Sequence, residues 1–137
     1  MDTRTQPPSW LDGLEPRFLA KGDGGDYLFY ILGEFERNEI IGFPALLYEL
    51  STGYGCGVHE YLHLAMENDF DDPSQFQGVT LFFSNIESVV PMDDAIELFK
   101  LAGAAYCGHF PDDSERVYRN LERIERRYRA QPKDDAG

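Results

Sequence analysis

Residues 78–84, Gly-Val-Thr-Leu-Phe-Phe-Ser, form the strongest strand pattern in the chain. β-branched and aromatic side chains are enriched in strands because they pack well on a pleated surface. Residues 60–66 alternate in character with the period of two that a strand requires, and residues 68–75 then have the composition of a turn. Residues 88–91 follow a second turn at Asn85 as a short third strand. These segments together predict a small antiparallel meander.

Helical patterns lie on both sides of this meander. Residues 27–37 carry apolar side chains at the i, i+3, i+4 and i+7 positions, and residues 43–52 have a proline in the first turn and end before Gly53. Two further helices are predicted after the meander, over residues 93–107 and 112–128. The order predicts an α+β fold with N-terminal helices, a small antiparallel β-meander and two C-terminal helices packed in one domain, residues 1–137.

The two ends of the chain have less pattern. Residues 1–26 are rich in Pro, Gly and Asp, which predicts a loop-rich N-terminal arm with Asp26 as the cap of the following helix. Residues 53–57 are predicted to form a glycine-rich turn, and residues 130–137 a frayed tail. The side chains predicted to anchor the arm on the core are Trp10, Leu11, Leu14 and Phe18.

Charge is unevenly distributed along the chain. The 137 residues include 12 Lys and Arg and 25 Asp and Glu, for a net charge of −13. Residues 38–99 contain eleven acids and no Lys or Arg, whereas residues 116–129 contain six Arg. An acidic middle segment repels nucleic acid and attracts a basic partner, although solubility alone also explains an acidic surface. In the last helix, Glu115, Glu122 and Glu125 lie at spacings that predict ion pairs with the arginines, so a solvated face is favoured over a second binding surface.

Other sequence signals indicate a cytoplasmic protein. No apolar run approaches the roughly 18 residues of a membrane span, and the N-terminus has no secretion signal, so we expect no membrane association. Cys56 and Cys107 lack metal-site spacing and are expected to be reduced. No cofactor is expected.

One short motif points to a different chemistry. His59-Glu60-x-x-His63 spells the zinc-protease signature, in which two histidines one helical turn apart bind the metal and the glutamate activates water. Asp69 lies where a third ligand would come, but Met66 occupies the position of the glycine that turns the chain. In a strand the two histidines would lie ~13 Å apart, too far to share one zinc. A small zinc-dependent hydrolase is therefore the alternative, and ordinary strand residues are favoured.

The second half of the chain resembles a known family. The segments DFDDPSQFQGVTLFF, ESVVPMDDAIELFKLAGAAY and HFPDDSERVYRNLERI are similar to immunity proteins of contact-dependent growth-inhibition systems, those that neutralise ribonuclease toxins. The points of similarity are the acidic-aromatic loop before Gly78, the strand that ends at Val90, and the Pro111-Asp112 pair that opens the last helix. The first 57 residues add no specific support.

This resemblance implies a non-enzymatic inhibitor. Ribonuclease toxins are basic because they bind RNA, so an immunity protein would present acids where phosphates otherwise lie and cover the RNA-binding or active-site surface. Residues 67–76 combine acids with aromatic side chains and are the first candidate for this contact. An acidic adaptor with some other partner is a further alternative. The predicted partner-binding residues are Tyr54, Glu67, Asp69, Phe70, Asp71, Asp72 and Phe76.

Overall fold

The computed structural model describes residues 9–58 and 62–129, and within them it has the predicted α+β architecture. In these residues, three α-helices come before a four-stranded β-meander and two α-helices come after it. The elements are α1 Glu15–Leu19, α2 Asp23–Arg37, α3 Phe43–Ser51, β1 Cys56–Val58, β2 Leu62–Ala65, β3 Val79–Phe83, β4 Ile86–Val90, α4 Met92–His109 and α5 Ser114–Tyr128. Short 3-10 turns lie at Ser9–Leu11, Glu67–Asp69, Pro73–Gln75 and Pro111–Asp113.

The sheet is antiparallel throughout, with strand order β1-β2-β3-β4. The three predicted strands are confirmed, and Ser84 and Asn85 make the tight turn between the last two, with Ser84 at φ 58°. The prediction of a turn over residues 53–57 is wrong at its end, because Cys56–Val58 pairs with β2 as a fourth strand. A three-residue strand with glycine at its centre shows no alternation that a sequence pattern could reveal.

The core lies between the sheet and the helices. α2 packs on β2, β3 and β4, while α3 and α4 both pack on α5. The apolar stripe predicted for α2 is fully buried, as are the apolar positions of α5 that face the other helices. These buried side chains are Leu28, Ile31, Leu32 and Phe35 on α2, and Val117, Leu121 and Ile124 on α5.

The N-terminal segment is more ordered than the predicted loop over residues 1–26. Among the described residues of this segment, α1 is helical and α2 begins at Asp23, four residues before the predicted start. Gly25 lies directly against the Phe18 carbonyl, where a Cβ would overlap that backbone. The Asp-Gly-Gly-Asp sequence, which is typical of a turn, is helical here, with Gly25 leaving room for α1 and Gly24 leaving room for β4. The prediction that Asp26 caps this helix is wrong, because the N-cap residue is Gly22 and Asp26 lies in the first turn.

The predicted anchoring of this segment is confirmed. Trp10, Leu11 and Phe18 are buried in the core, and Leu14 is partly buried against it. The Trp10 ring contacts both Phe43 of α3 and Tyr106 of α4 in tilted and edge-on geometry. Residues 1–8 and the predicted frayed tail over residues 130–137 lie outside the described residues.

The last two helices begin near their predicted positions. α4 starts at Met92, so Asp93 and Asp94 lie in its first turn, where carboxylates favour the helix dipole. Asp113 precedes α5, but its carboxylate accepts a hydrogen bond of 3.0 Å from the Tyr106 hydroxyl instead of capping the helix. Burial and this bond raise the pKa of Tyr106 to about 12. Across residues 9–58 and 62–129, no helix combines the length and apolar character needed to cross a bilayer.

Candidate functional site

The acidic loop, residues 67–76, connects β2 to β3 and contains two short 3-10 turns. It rests against the C-terminal end of α5 and the segment between α3 and β1. Within ten residues it holds four carboxylates, and the structure separates them into two pairs with different surroundings.

Glu67 points into the protein. Its Oε2 accepts hydrogen bonds from Arg127 Nη2 at 2.6 Å and Nε at 2.9 Å, and its Oε1 accepts one from the Tyr128 hydroxyl. The Glu67 side chain is 18% exposed. Burial and the bond to Glu67 raise the pKa of Tyr128 above its ordinary value of 10.0. Glu67 was predicted to contact a partner, but both its oxygens are occupied in holding the loop to α5.

Asp69 also has an internal role. Its Oδ2 accepts hydrogen bonds from the backbone N–H groups of Gly55 at 2.7 Å and Met66 at 2.8 Å. The bond to Met66 reaches back three residues, as in a capping box, but with Met at the N-cap the sequence lacks the Ser/Thr-x-x-Glu/Gln signature of that motif. Although Asp69 is exposed at the surface, it is not the free turn charge that the sequence suggested.

Asp71 and Asp72 are exposed at the tip of the loop. Asp72 Oδ1 accepts hydrogen bonds from the Ser74 backbone N–H at 3.0 Å and the Ser74 hydroxyl at 2.8 Å, and these bonds lower the pKa of its carboxyl. Asp71 has no hydrogen bond or ion pair with any described residue. Both charges therefore point toward solvent and are available to a partner.

Aromatic side chains lie beside these charges. The Phe76 ring is half-buried, with its centroid 5.9 Å from that of Tyr128 on α5, and the Phe70 ring packs on Phe76 at 6.3 Å. Phe76 therefore attaches the loop to the core, whereas Phe70 stays half-exposed next to Asp71. Tyr54 is 47% exposed and precedes Gly55, whose N–H binds Asp69. Of the three predicted aromatic anchors, Tyr54 and Phe70 remain accessible.

Gly53 sets the course of the chain toward Tyr54. It follows the end of α3 with φ 91°, the left-handed conformation that glycine commonly adopts after a helix. Its carbonyl accepts the Asn68 N–H at 3.0 Å, and a Cβ on Gly53 would overlap the Asn68 and Arg127 side chains. The acidic loop, α3 and α5 thus meet at one glycine.

Several other acids of the basic-free segment are neutralised by distant residues. Lys21 lies 3.5 Å from Asp94 and 2.7 Å from Glu97, and Arg129 lies 3.4 Å from Asp93. Each of these acids therefore has a cationic neighbour within the protein, although Lys21 is shared between two of them. Among the described acids of this segment without an ion pair, Asp71 and Asp72 are adjacent and exposed at the tip of the acidic loop, whereas Glu39, Glu49 and Glu87 lie singly elsewhere.

The zinc-protease motif is only partly within the described residues, since His59 and Glu60 lie outside them. His63 lies on β2, paired with Gly57 on one side and Phe82 on the other, as the strand interpretation predicts. The helical face that the protease motif requires is therefore absent at His63. Asp69, the candidate third ligand, is occupied by two backbone N–H groups. Among the residues that the structure describes, no three His, Cys, Asp or Glu side chains are grouped to hold a metal.

The predicted ion pairs along α5 are confirmed. The three glutamates each contact an arginine four residues later, at distances of 3.0 to 3.1 Å. The pairs are Glu115–Arg119, Glu122–Arg126 and Glu125–Arg129.

Comparison with known proteins adds no identification. No family model, no curated protein and no solved structure matches this chain. The resemblance of residues 69–124 to immunity proteins therefore stays a prediction from the sequence.

Proposed function

We propose that this chain is a cytoplasmic immunity protein that binds a basic ribonuclease toxin domain and neutralises it by covering the RNA-binding or active-site surface. It acts by binding alone, without catalysis or a cofactor. The observation that carries this proposal is the outward position of Asp71 and Asp72 on a loop that internal bonds hold in place.

Electrostatics support this partner class. A ribonuclease binds RNA through basic side chains, and two adjacent carboxylates offer those side chains the same negative charge that successive phosphates do. A net charge of −13 also attracts a basic domain over distance, which raises the rate of encounter. Speed matters for an inhibitor of this kind, because a toxin that is free even briefly cleaves RNA.

The fixed position of the loop supports tight binding. Glu67 and Asp69 tie the loop to α5 and to the segment between α3 and β1, so little conformational entropy is lost when a partner binds. Phe70 provides accessible aromatic surface next to Asp71, and Tyr54 provides more one residue before Gly55, which binds Asp69; aromatic side chains are common anchors in protein interfaces.

The experiment that tests the proposal uses the product of the neighbouring gene, which we expect to carry a nuclease domain. We expect Asp71→Lys with Asp72→Lys to slow association about tenfold at low salt, because the steering charge is reversed, and to weaken inhibition of RNA cleavage. The difference from wild type should shrink as salt rises, since ions screen exposed charges. Stopped-flow association rates and a cleavage assay measure both effects.

A matched control separates local from global charge. Asp12→Lys with Glu39→Lys changes the net charge by the same amount at exposed positions outside the loop. This control should retain most of the association rate and full inhibition. Equal losses in the two double variants would show that only net charge matters, and a neighbouring gene that encodes no nuclease would refute the proposed function.

A further inference from the structure

A cationic cleft lies between α3 and α5, away from the acidic loop. It has a volume of about 320 Å³, and one wall consists of Pro44 and Ala45 from the start of α3. The arginine cleft is defined by its polar lining residues: Tyr48, Arg116, Arg119, Asn120 and Arg123. Arg119 lies eight residues before Arg127, which places the cleft ~12 Å along α5 from the residue that holds the acidic loop.

The charge in this cleft is unusual for so acidic a chain. Eight of the ten Lys and Arg residues in the described ranges have a carboxylate within 4.0 Å. Arg17 on α1 and Arg123 in the cleft do not. Within the described ranges, Arg123 has a single polar contact, to Asn120 Oδ1 at 3.4 Å. No described acid lines the cleft, so the guanidinium of Arg123 has no carboxylate within 4.0 Å in residues 9–58 and 62–129.

The other two arginines are only weakly engaged. Arg119 lies 3.0 Å from Glu115 of the same helix, and Arg116 lies 3.6 Å from Asp113, the residue before α5. These are exposed pairs between near neighbours in sequence, which contribute little to stability and are readily exchanged for another anion. All three guanidinium groups are therefore available to a ligand in the cleft.

The remaining lining residues add shape and specificity. Asn120 is 6% exposed and lines the cleft from the inner side of α5, which places an amide against whatever enters. Tyr48 is 51% exposed and offers an aromatic ring on the opposite wall. Planar arginine forks match the geometry of phosphate oxygens, and an aromatic ring provides a surface for a flat group attached to that phosphate.

We propose that the arginine cleft binds a small phosphate-bearing molecule. The guanidinium groups of Arg119 and Arg123 contact the phosphate, and the rest of the ligand lies against Tyr48. The volume is at the lower end of the range for small-molecule sites, which fits a ligand of mononucleotide size. A nucleic acid is disfavoured, because the net charge of −13 repels a long polyanion far more than a single phosphate. This site is separate from the proposed toxin contact.

Isothermal titration calorimetry on the full chain tests this proposal, with inorganic phosphate and adenosine 5′-monophosphate as probes at low salt. We expect saturable binding at one site. The variant Arg119→Gln with Arg123→Gln should weaken both affinities about tenfold or more, because hydrogen bonds to charged groups are lost. Tyr48→Ala should weaken binding of the nucleotide and leave that of phosphate unchanged.

The matched control is Arg17→Gln with Arg126→Gln, which removes the same charge outside the cleft and includes Arg17, an arginine with no carboxylate within 4.0 Å among the described residues. It should bind both probes like wild type. Absence of saturable binding by either probe would overturn the proposal, as would an equal loss in the control. Binding of a hexaglutamate peptide without binding of either probe would also overturn it, since the cleft would then be a docking site for an acidic protein segment. An unaffected nucleotide affinity in Tyr48→Ala would overturn the ring contact.

Discussion

The two halves of the acidic loop contain the same kind of residue and use it in opposite ways. In the first half, Glu67 and Asp69 turn their carboxylates to groups of the protein itself, the side chains of α5 and two backbone N–H groups. In the second half, Asp71 and Asp72 extend into solvent, and the nearest contact is the local bond to Ser74. The first pair holds the loop in place, and the second pair is what the loop presents.

This difference shows why acid content alone does not locate a binding surface. All four carboxylates lie within six residues and look equivalent in the sequence. What distinguishes them is the position of hydrogen-bond donors, and the donors for Glu67 come from residues 60 and 61 positions later. Each prediction below tests whether the two halves differ as sharply in energy as they do in contacts.

The largest effect is expected at Glu67. Glu67→Ala leaves the guanidinium of Arg127 and the hydroxyl of Tyr128 without their acceptor, which should lower the free energy of unfolding by about 2 kcal/mol. Urea denaturation followed by circular dichroism measures the change. Glu122→Ala, which removes an exposed ion pair, is the control and should shift the midpoint far less. Equal shifts in the two variants would mean that Glu67 is no more important than a surface charge.

Tyr128→Phe tests the same contact through its pH dependence. Loss of the hydroxyl should cost about 1 kcal/mol at neutral pH. The pKa of Tyr128 is raised above 10.0, so the folded chain keeps this proton after the unfolded chain has lost it. The contribution of the Tyr128 hydroxyl to the free energy of unfolding is therefore complete below pH 10.0, and it disappears as the pH rises above that value.

The expected outcome is a smaller loss of stability on the alkaline side in Tyr128→Phe than in wild type. Urea denaturation of each protein at pH 8 and about pH 11 measures how much stability it loses between the two pH values. The exposed Tyr54→Phe should behave like wild type in both conditions. Identical alkaline losses in wild type and Tyr128→Phe would argue against a stabilising bond to Glu67.

Asp69→Ala should have a smaller effect. Two backbone N–H groups lose their acceptor, at a cost typical of a lost cap, about 1 kcal/mol. Water partly replaces the carboxylate because Gly55 and Asp69 are not fully buried. Chemical denaturation measures this, and hydrogen exchange of the Gly55 and Met66 amides should be faster in the variant. Unchanged exchange at both amides would contradict the bonding role of Asp69.

The smallest effect on stability is expected for the outward pair. Asp71→Lys with Asp72→Lys should lower the urea midpoint by less than Asp69→Ala does, because Asp71 is an exposed turn charge and Asp72 loses only its local bonds to Ser74. Together with the slower toxin association expected for this variant, that result would show that Asp71 and Asp72 contribute to binding and little to stability. A large drop in the midpoint would show instead that the loop tip is also structural.

Much of the fold follows from local sequence patterns. The strands β2 to β4, the apolar stripe of α2 and the ion pairs of α5 depend on residue spacing within one segment. The misses have a common cause. α1 packs against the first turn of α2 because Gly25 permits contact with Phe18. β1 pairs with β2 because Gly57 leaves room for His63. Neither contact leaves a periodic signal.

The sequence by itself determined the α+β layout, the concentration of acid in the middle of the chain and the combination of charge and aromatic residues at residues 67–76. Only the tertiary structure decided which acids are free, because the partners of Glu67 come from a helix at the far end of the chain. It also decided where the arginines of α5 leave a cleft, since that depends on how α3 packs beside them. Local pattern sets which segments become helix or strand, whereas hydrogen bonding between distant segments sets which charges remain at the surface.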